Sequence, residues 1–216
     1  MKQILICLLL FMLSGSGYAQ DLSSPYYGFR LGLTAHPTIG WVKPQIGKSN
    51  SVSMGFSYGL LADFNFTKNY SFATGLTITT INGKSKEART ISSEPPAQTE
   101  VQLKYKLQYI EIPLTLKLKT VKIDDVRWYG QFGLSNGFKI RARQDVNGNT
   151  ESEYASENIK FYRSGLIIGA GAEIDFKANM SIATGLTFNN GFTDIAGNGN
   201  NRIRNHYLGI NFGVFF

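Results

Sequence analysis

The chain has 216 residues, with 22 Lys and Arg against 15 Asp and Glu, one cysteine and a mean hydropathy of −0.12. That length suits one domain. Past the N-terminal leader no stretch approaches the ~20 apolar residues of a spanning helix. The formal charge of +7 is not gathered into aromatic-interleaved basic runs, which excludes nucleic acid as the expected partner and leaves anionic lipid headgroups or lipopolysaccharide phosphates.

The chain opens with Lys2, an apolar run from Ile4 to Leu13, and then Ser14-Gly15-Ser16-Gly17-Tyr18-Ala19. Small residues stand one and three places before a cut after Ala19, the layout of a secretory signal peptide too short to serve as a span. A retained anchor helix is the competing reading. Removing residues 1–19 takes away Cys7, so the mature domain, 20–216, has no disulfide and no cysteine-based metal site. Losing Lys2 lowers the charge from +7 to +6.

Eight segments then alternate with a period of two, which puts their two rows on opposite faces of a strand. Tyr27, Phe29, Leu31, Leu33 and Ala35 oppose Gly28, Arg30, Gly32 and Thr34. Phe56, Tyr58, Leu60, Ala62, Phe64 and Phe66 oppose Ser57, Gly59, Asp63 and Asn65, with Leu61 the exception. In the third, Phe72, Thr74, Leu76, Ile78 and Thr80 oppose Ser71, Ala73, Gly75, Thr77 and Thr79.

The fourth sets Ile112, Leu114, Leu116 and Leu118 against Glu111, Pro113, Thr115, Lys117 and Lys119. Upstream its apolar row, Val101, Leu103, Tyr105 and Leu107, lies on odd numbers, and from Ile110 it moves to even ones. An extra residue near Gln108–Ile110 would produce that shift, so a β-bulge is expected there. Pro113 lacks an N–H and demands its own local break in the ladder.

The fifth segment sets Trp128, Phe132, Leu134, Phe138 and Ile140 against Arg127, Gln131, Ser135, Lys139 and Arg141. In the sixth, Leu166, Ile168, Ala170, Ala172, Ile174 and Phe176 oppose Gly165, Ile167, Gly169, Gly171, Glu173 and Asp175. The seventh places Met180, Ile182, Leu186 and Phe188 opposite Ser181, Ala183, Thr187 and Asn189. In the last, Leu208, Ile210, Phe212, Val214 and Phe216 oppose Tyr207, Gly209, Asn211 and Gly213.

Connections alternate in length. Thr67-Lys68-Asn69 and Lys177-Ala178-Asn179 read as short turns and Thr120 to Arg127 as a somewhat longer one. Residues 36–53, 82–100, 143–158 and 193–205 read as long polar loops. Outer-membrane barrels pair short periplasmic turns with long external loops, and eight strands with both termini periplasmic need three of one and four of the other. A soluble sandwich or lipocalin-like barrel would carry Lys, Glu and Thr on its outer faces. Here the second row is mostly Gly, Ser, Thr and Asn, which suits a narrow interior. The expected fold is all-β, an eight-stranded antiparallel transmembrane up-and-down β-barrel from Tyr26 to Phe216.

Thr38-Ile39-Gly40-Trp41-Val42-Lys43-Pro44, Leu107-Gln108-Tyr109-Ile110-Glu111-Ile112-Pro113-Leu114, Gly165 to Glu173 and Gly185 to Ile195 resemble the small outer-membrane barrels of Bacteroidetes known as PorT-like or "porin family". The Tyr-Ile-Glu-Ile-Pro element is the most specific piece. The resemblance implies a barrel in the outer membrane. It also implies type IX secretion components as partners, because one founding member is linked to gingipain export.

Chemistry-bearing residues are few. His36 and His206 lie near the outer ends of neighbouring strands, on opposite parities, so interfacial positions are expected rather than a lipid-hydrolysing pair. Residues 169–171 lie within a strand and lack the strand-to-helix turn of a phosphate cradle. Asn198-Gly199-Asn200-Asn201 has only Asp194 to supply a carboxylate and reads as a loop, not a Ca²⁺ site.

Arg30 and Asp63 face inward at similar height and should pair; Glu173 and Asp175 should lie near Arg127, since a charge in a narrow lumen must be partnered. Phe212, Val214 and Phe216 resemble the terminal signal read by the barrel-insertion machinery. The expected function is non-enzymatic and without cofactor. It would be a monomer with a plugged lumen and an envelope-structural, secretion-associated or loop-mediated binding role. The alternatives are a lipid A or phospholipid hydrolase, or a small-solute channel.

Overall fold

The computed structural model describes residues 28–45, 48–91, 97–146, 149–151, 159–177, 180–196 and 202–216, with backbone alone for strand residues 48–50, 85–91, 97–103, 144–146, 149–151 and 177. The leader 1–19, the strand start at Tyr26 and Tyr27, and Asn198 to Asn201 fall outside them. The strands are β1 (Gly28–Pro44), β2 (Lys48–Asn65), β3 (Tyr70–Ile91), β4 (Ala97–Lys119), β5 (Val126–Val146), β6 (Asn149–Glu151), β7 (Tyr162–Lys177), β8 (Met180–Gly191) and β9 (Ile203–Phe215). Eight of them form a closed antiparallel barrel in which β9 returns to pair with β1, and the three-residue β6 only extends a hairpin on the upper end of β5.

Register can be followed around the wall from Leu31 through Ala62, Thr74, Leu114, Leu134, Leu166, Asn190 and His206. It returns to β1 at Trp41, ten residues further along. A stagger of ten over eight strands corresponds to a strand tilt of about 40°. Short turns close the end that carries the termini. In the first, Thr67 Oγ1 accepts the N–H groups of Asn69 (3.2 Å) and Tyr70 (3.0 Å). In the second, Asp124 takes the left-handed backbone (φ 54°) that aspartate tolerates better than bulkier residues.

The wall has two storeys. In the one nearer the termini, Phe29, Leu31, Leu33, Leu60, Phe72, Leu76, Phe132, Leu134, Ile168, Leu186, Ile210 and Phe212 are exposed around the outside. The inward row there is mostly small or polar, with Leu61, Tyr129, Ile167 and Phe215 the large exceptions. A continuous apolar belt of this extent is stable only against hydrocarbon. In the upper storey the pattern inverts. Val42, Ile81, Tyr105, Leu107, Tyr109, Ala142, Ile203 and Tyr207 point inward and form a buried core with Ile159, Ile195 and Ala196. The outward positions become Lys43, Lys84, Lys104, Lys106, Arg141 and Arg143.

Three sequence expectations are corrected. First, β4 contains no extra residue: its register against β3 is constant, and its odd-numbered residues from Tyr105 to Lys119 stay buried, apart from the half-buried Pro113. The apolar row changes faces because the medium outside changes. A register slip does occur opposite Gln108 and Tyr109, but the unpaired residue is Ile140 of β5. Second, that bulge turns Arg141 outward, away from the inner row of Lys139. Third, much of 36–53, 82–100 and 143–158 is strand, so the barrel wall continues well past the apolar belt. Pro113 leaves a lapse in the ladder to β3, between Leu114 and Glu111, without shifting the register. Leu61 points inward against the buried cluster of Tyr129, Ala183 and Phe215.

Candidate functional site: a lumen closed in layers

At the terminal end, inward positions of four strands converge on one ionic cluster. Arg30 Nη2 lies 2.9 Å from Asp63 Oδ2 and 3.1 Å from Glu173 Oε2. Lys117 Nζ is 3.1 Å from Asp63 Oδ2 and also bonds Glu173 Oε1. Lys119 Nζ stands 3.4 Å from Glu173 Oε2 and 3.8 Å from Asp63 Oδ2, and donates to Asn65 Oδ1 at 3.1 Å. Three cations thus share two carboxylates, and the carboxylate side chains are only 1–2% exposed.

Two aromatic rings complete the cluster. The Arg30 guanidinium sits 4.7 Å from the Phe215 ring centroid, and Lys117 Nζ lies 4.5 Å from that of Tyr129. Such contacts help disperse surplus positive charge. Phe215 can occupy the lumen because β1 offers Gly32 opposite it: a Cβ there would fall 2.8 Å from Phe215 Cδ1. Gly171 similarly clears space for Tyr129, since its Cβ would meet the hydroxyl at 2.7 Å.

Register places Arg30 directly opposite Asp63, and Arg127 directly opposite Glu173. The Glu173 carboxylate is nevertheless engaged by Arg30, Lys117 and Lys119. Arg127 Nη2 lies 3.6 Å from Asp175, which Lys122 also approaches at 3.0 Å. Lys117, Lys119, Phe215 and Tyr129 are the members that sequence reasoning passed over. The two lysines stood in the inner row of the fourth segment, and counting charges along all inner rows would have exposed them.

Above the cluster is a cavity of about 110 Å³, lined among others by Thr34, His36, Ser57, Thr115, Gln131 and Thr187. His36 Nδ1 is 3.1 Å from Thr34 Oγ1, which donates to the carbonyl of Phe212 at 2.8 Å. His206 is on the other side of the wall, its ring 5.8 Å from that of Trp41, which stacks on Phe188. The two histidines do not converge.

A second polar layer closes the cavity from above. Arg163 is fully buried and donates to Glu111 Oε1 (2.8 Å), Asn189 Oδ1 (2.7 Å) and Asn205 Oδ1 (2.5 Å), while Tyr207 Oη donates to Glu111 Oε2 (2.8 Å). This network ties β4, β7, β8 and β9 together. Arg163 precedes the residues read as the sixth segment, so its inward parity went unused.

The apolar core of the upper storey comes next, and above it a lid. Lys160 N–H bonds the Ile195 carbonyl (2.8 Å), and Ile159 bridges Ala196. Asp194 holds the lid together by accepting from the N–H groups of Ile203 (2.9 Å) and Ala196 (3.0 Å) and from Lys160 Nζ (3.0 Å). Burial pushes this carboxyl up, but those donors outweigh it and keep it below the ordinary aspartate range.

On the outside, Phe212 and Phe216 are exposed and Val214 lies in the same row. The Phe216 N–H bonds the Leu31 carbonyl at 2.9 Å, so the terminal residue is fixed in the closing β9–β1 seam.

A family model described as an outer membrane protein beta-barrel domain matches residues 18–197. Among solved structures, neisserial surface protein A is similar over 87% of this chain and 96% of its own, with 17% identity and a TM-score of 0.51. OprG of Pseudomonas aeruginosa matches over 91% of this chain and 99% of its own, with 10% identity and a TM-score of 0.46. No curated protein sequence matches the chain significantly. At such identities the likeness is one of fold, and function must be argued from the site.

Proposed function

The chain belongs to the outer membrane protein beta-barrel domain family, and from that premise we propose that it is a non-enzymatic, monomeric barrel whose lumen is sealed and whose role is carried by its upper storey. One observation supports this most. The lumen is obstructed in succession by the Arg30–Asp63–Lys117–Glu173 cluster, the Arg163–Glu111 network and the apolar core, with a small cavity between the two charged layers. An eight-stranded barrel is just wide enough for its own side chains to fill. The expected result in planar bilayers is rare or very small currents. Steady, large conductance would overturn the sealed lumen and favour a small-solute channel.

In this reading residues 1–19 are a cleaved leader, the short turns and both termini face the periplasm, and the upper storey stands outside the cell. Outer-membrane lipid and lipopolysaccharide surround the belt. Within the family we place the chain among the PorT-like barrels, on the strength of Tyr109-Ile110-Glu111-Ile112-Pro113. Type IX secretion components would then be its partners, and co-purification in mild detergent without any such component would count against that placement.

Assembly provides a separate test. Phe216→Asp should sharply reduce the folded, outer-membrane fraction in cells. A charge at the edge of the belt costs only ~0–1 kcal/mol of stability, so a large loss would reflect recognition by the insertion machinery. Normal insertion of Phe216→Asp would refute the signal.

A further inference from the structure

The cavity between the two charged layers has unequal sides. Thr34 Oγ1 gives its one proton to the carbonyl of Phe212 (2.8 Å), so at 3.1 Å from His36 Nδ1 it can only accept. A neutral His36 therefore carries its hydrogen on Nδ1 and keeps Nε2 as an acceptor. Asn211 Oδ1 stands beside it: a Cβ on Gly209 would fall 3.2 Å from the ring nitrogen and 3.3 Å from the amide oxygen. The side formed by β1 and β9 thus presents acceptors.

The side formed by β5, β7 and β8 presents donors. Thr187 Oγ1 accepts from Gln131 Nε2 (3.2 Å) and from Asn211 Nδ2, which leaves its own proton without an acceptor among the described residues. Tyr129, whose ring lies 4.5 Å from Lys117 Nζ, also lines the cavity, and among the described residues its hydroxyl meets no hydrogen-bond partner. The Gly169-Ala170-Gly171 run makes room for both hydroxyls. A Cβ on Gly169 would lie 2.9 Å from Thr187 Oγ1, and one on Gly171 2.7 Å from Tyr129 Oη. Alternate residues of a strand stand roughly 6.5 Å apart, a separation that one small ion bridges.

Charge sets the sign of that ion. Asp63, Lys117, Tyr129 and Phe215 of the ionic cluster line the cavity from below. Among the described residues Arg30, Lys117 and Lys119 have no ionic partner but Asp63 and Glu173, so three cations stand against two carboxylates. The roof adds no net charge, because Arg163 matches Glu111 at 2.8 Å. A surplus charge away from bulk water is costly until something of opposite sign joins it. We propose that the cavity holds a small monovalent anion, chloride or a short carboxylate, between the Thr187 and Tyr129 hydroxyls and above the surplus charge. The inference rests on the sealed lumen proposed above, because an open channel would rinse the cavity with bulk salt.

The test refolds the full barrel from urea into lipid vesicles in sodium chloride, formate or gluconate of equal ionic strength, so that the anion is present before the lumen closes. A ligand held only by the folded state, at ~ten times its dissociation constant, raises the folded-to-unfolded ratio about ten-fold. Chloride and formate should do so relative to gluconate, which is too bulky for the cavity. Tyr129→Phe combined with Thr187→Val should remove the difference, as should Lys119→Met, whereas Lys68→Ser, in an exposed terminal-end turn, should keep it. Equal ratios in the three salts overturn the proposal, since the cavity then holds water alone. So does a difference that survives in the double variant, which would be a general salt effect. If the double variant does not fold, anomalous diffraction from crystals of the unaltered barrel grown in bromide decides. One bromide within hydrogen-bond reach of Tyr129 and Thr187 upholds the site, and its absence there overturns it. Steady conductance in planar bilayers would refute the seal, whereas salt-independent stability in a non-conducting barrel refutes the anion site alone.

Discussion

Glu173→Gln should destabilise the folded barrel by about 3–5 kcal/mol, the usual cost of removing one partner from a buried ionic group. The cluster already holds Arg30, Lys117 and Lys119 against Asp63 and Glu173. Neutralising Glu173 leaves three cations facing a single carboxylate at a largely buried site, where charges are poorly screened. Lys119→Met should act in the opposite sense, near neutral or stabilising, because it balances two cations with two carboxylates. Urea unfolding in lipid vesicles, followed by the shift between folded and unfolded gel mobility, measures both. A Glu173→Gln barrel within 1 kcal/mol of the parent would mean that the cluster is hydrated rather than sealed.

Substitutions on the two storeys should have mirrored effects. On the outer face, Leu134→Arg in the middle of the belt should cost ~2–4 kcal/mol. Lys106→Leu, on the same face but in the upper storey, should change stability by less than about 0.5 kcal/mol, as surface changes generally do. On the inner face, Leu107→Ala should cost about 2–5 kcal/mol, because Leu107 lies within the upper apolar core at 1% exposure. The same unfolding assay serves all three. If Leu107→Ala were neutral, the upper storey would be a loose hairpin crown without a packed core.

Most of the wall is legible as period-two alternation, and most visibly so in β5 and β9. Arg30 and Asp63 are legible as neighbours because one lies just after the start of β1 and the other just before the end of β2, at the same end of two consecutive antiparallel strands. The inversion in β4 is not. Periodicity reports which row is apolar but not which side of the wall it faces. When the outer medium changes from hydrocarbon to water partway along a strand, the apolar row changes parity with no change in the backbone. A sequence carries the same mark for that event as for an inserted residue, and only the unbroken β3–β4 register separates the two.

The sequence alone determined that this chain builds a β wall with one apolar and one small, polar face, connected by turns that are short at one end. Local alternation and turn chemistry suffice for that, since each depends on residues a few places apart. Which inward charges meet was decided only by closure. Glu173 reaches Arg30 across 143 positions of sequence, and Lys117 across 56. The ten-residue stagger of the closed barrel brings those heights into line. Stagger is a property of the whole ring of strands, and no single segment encodes it.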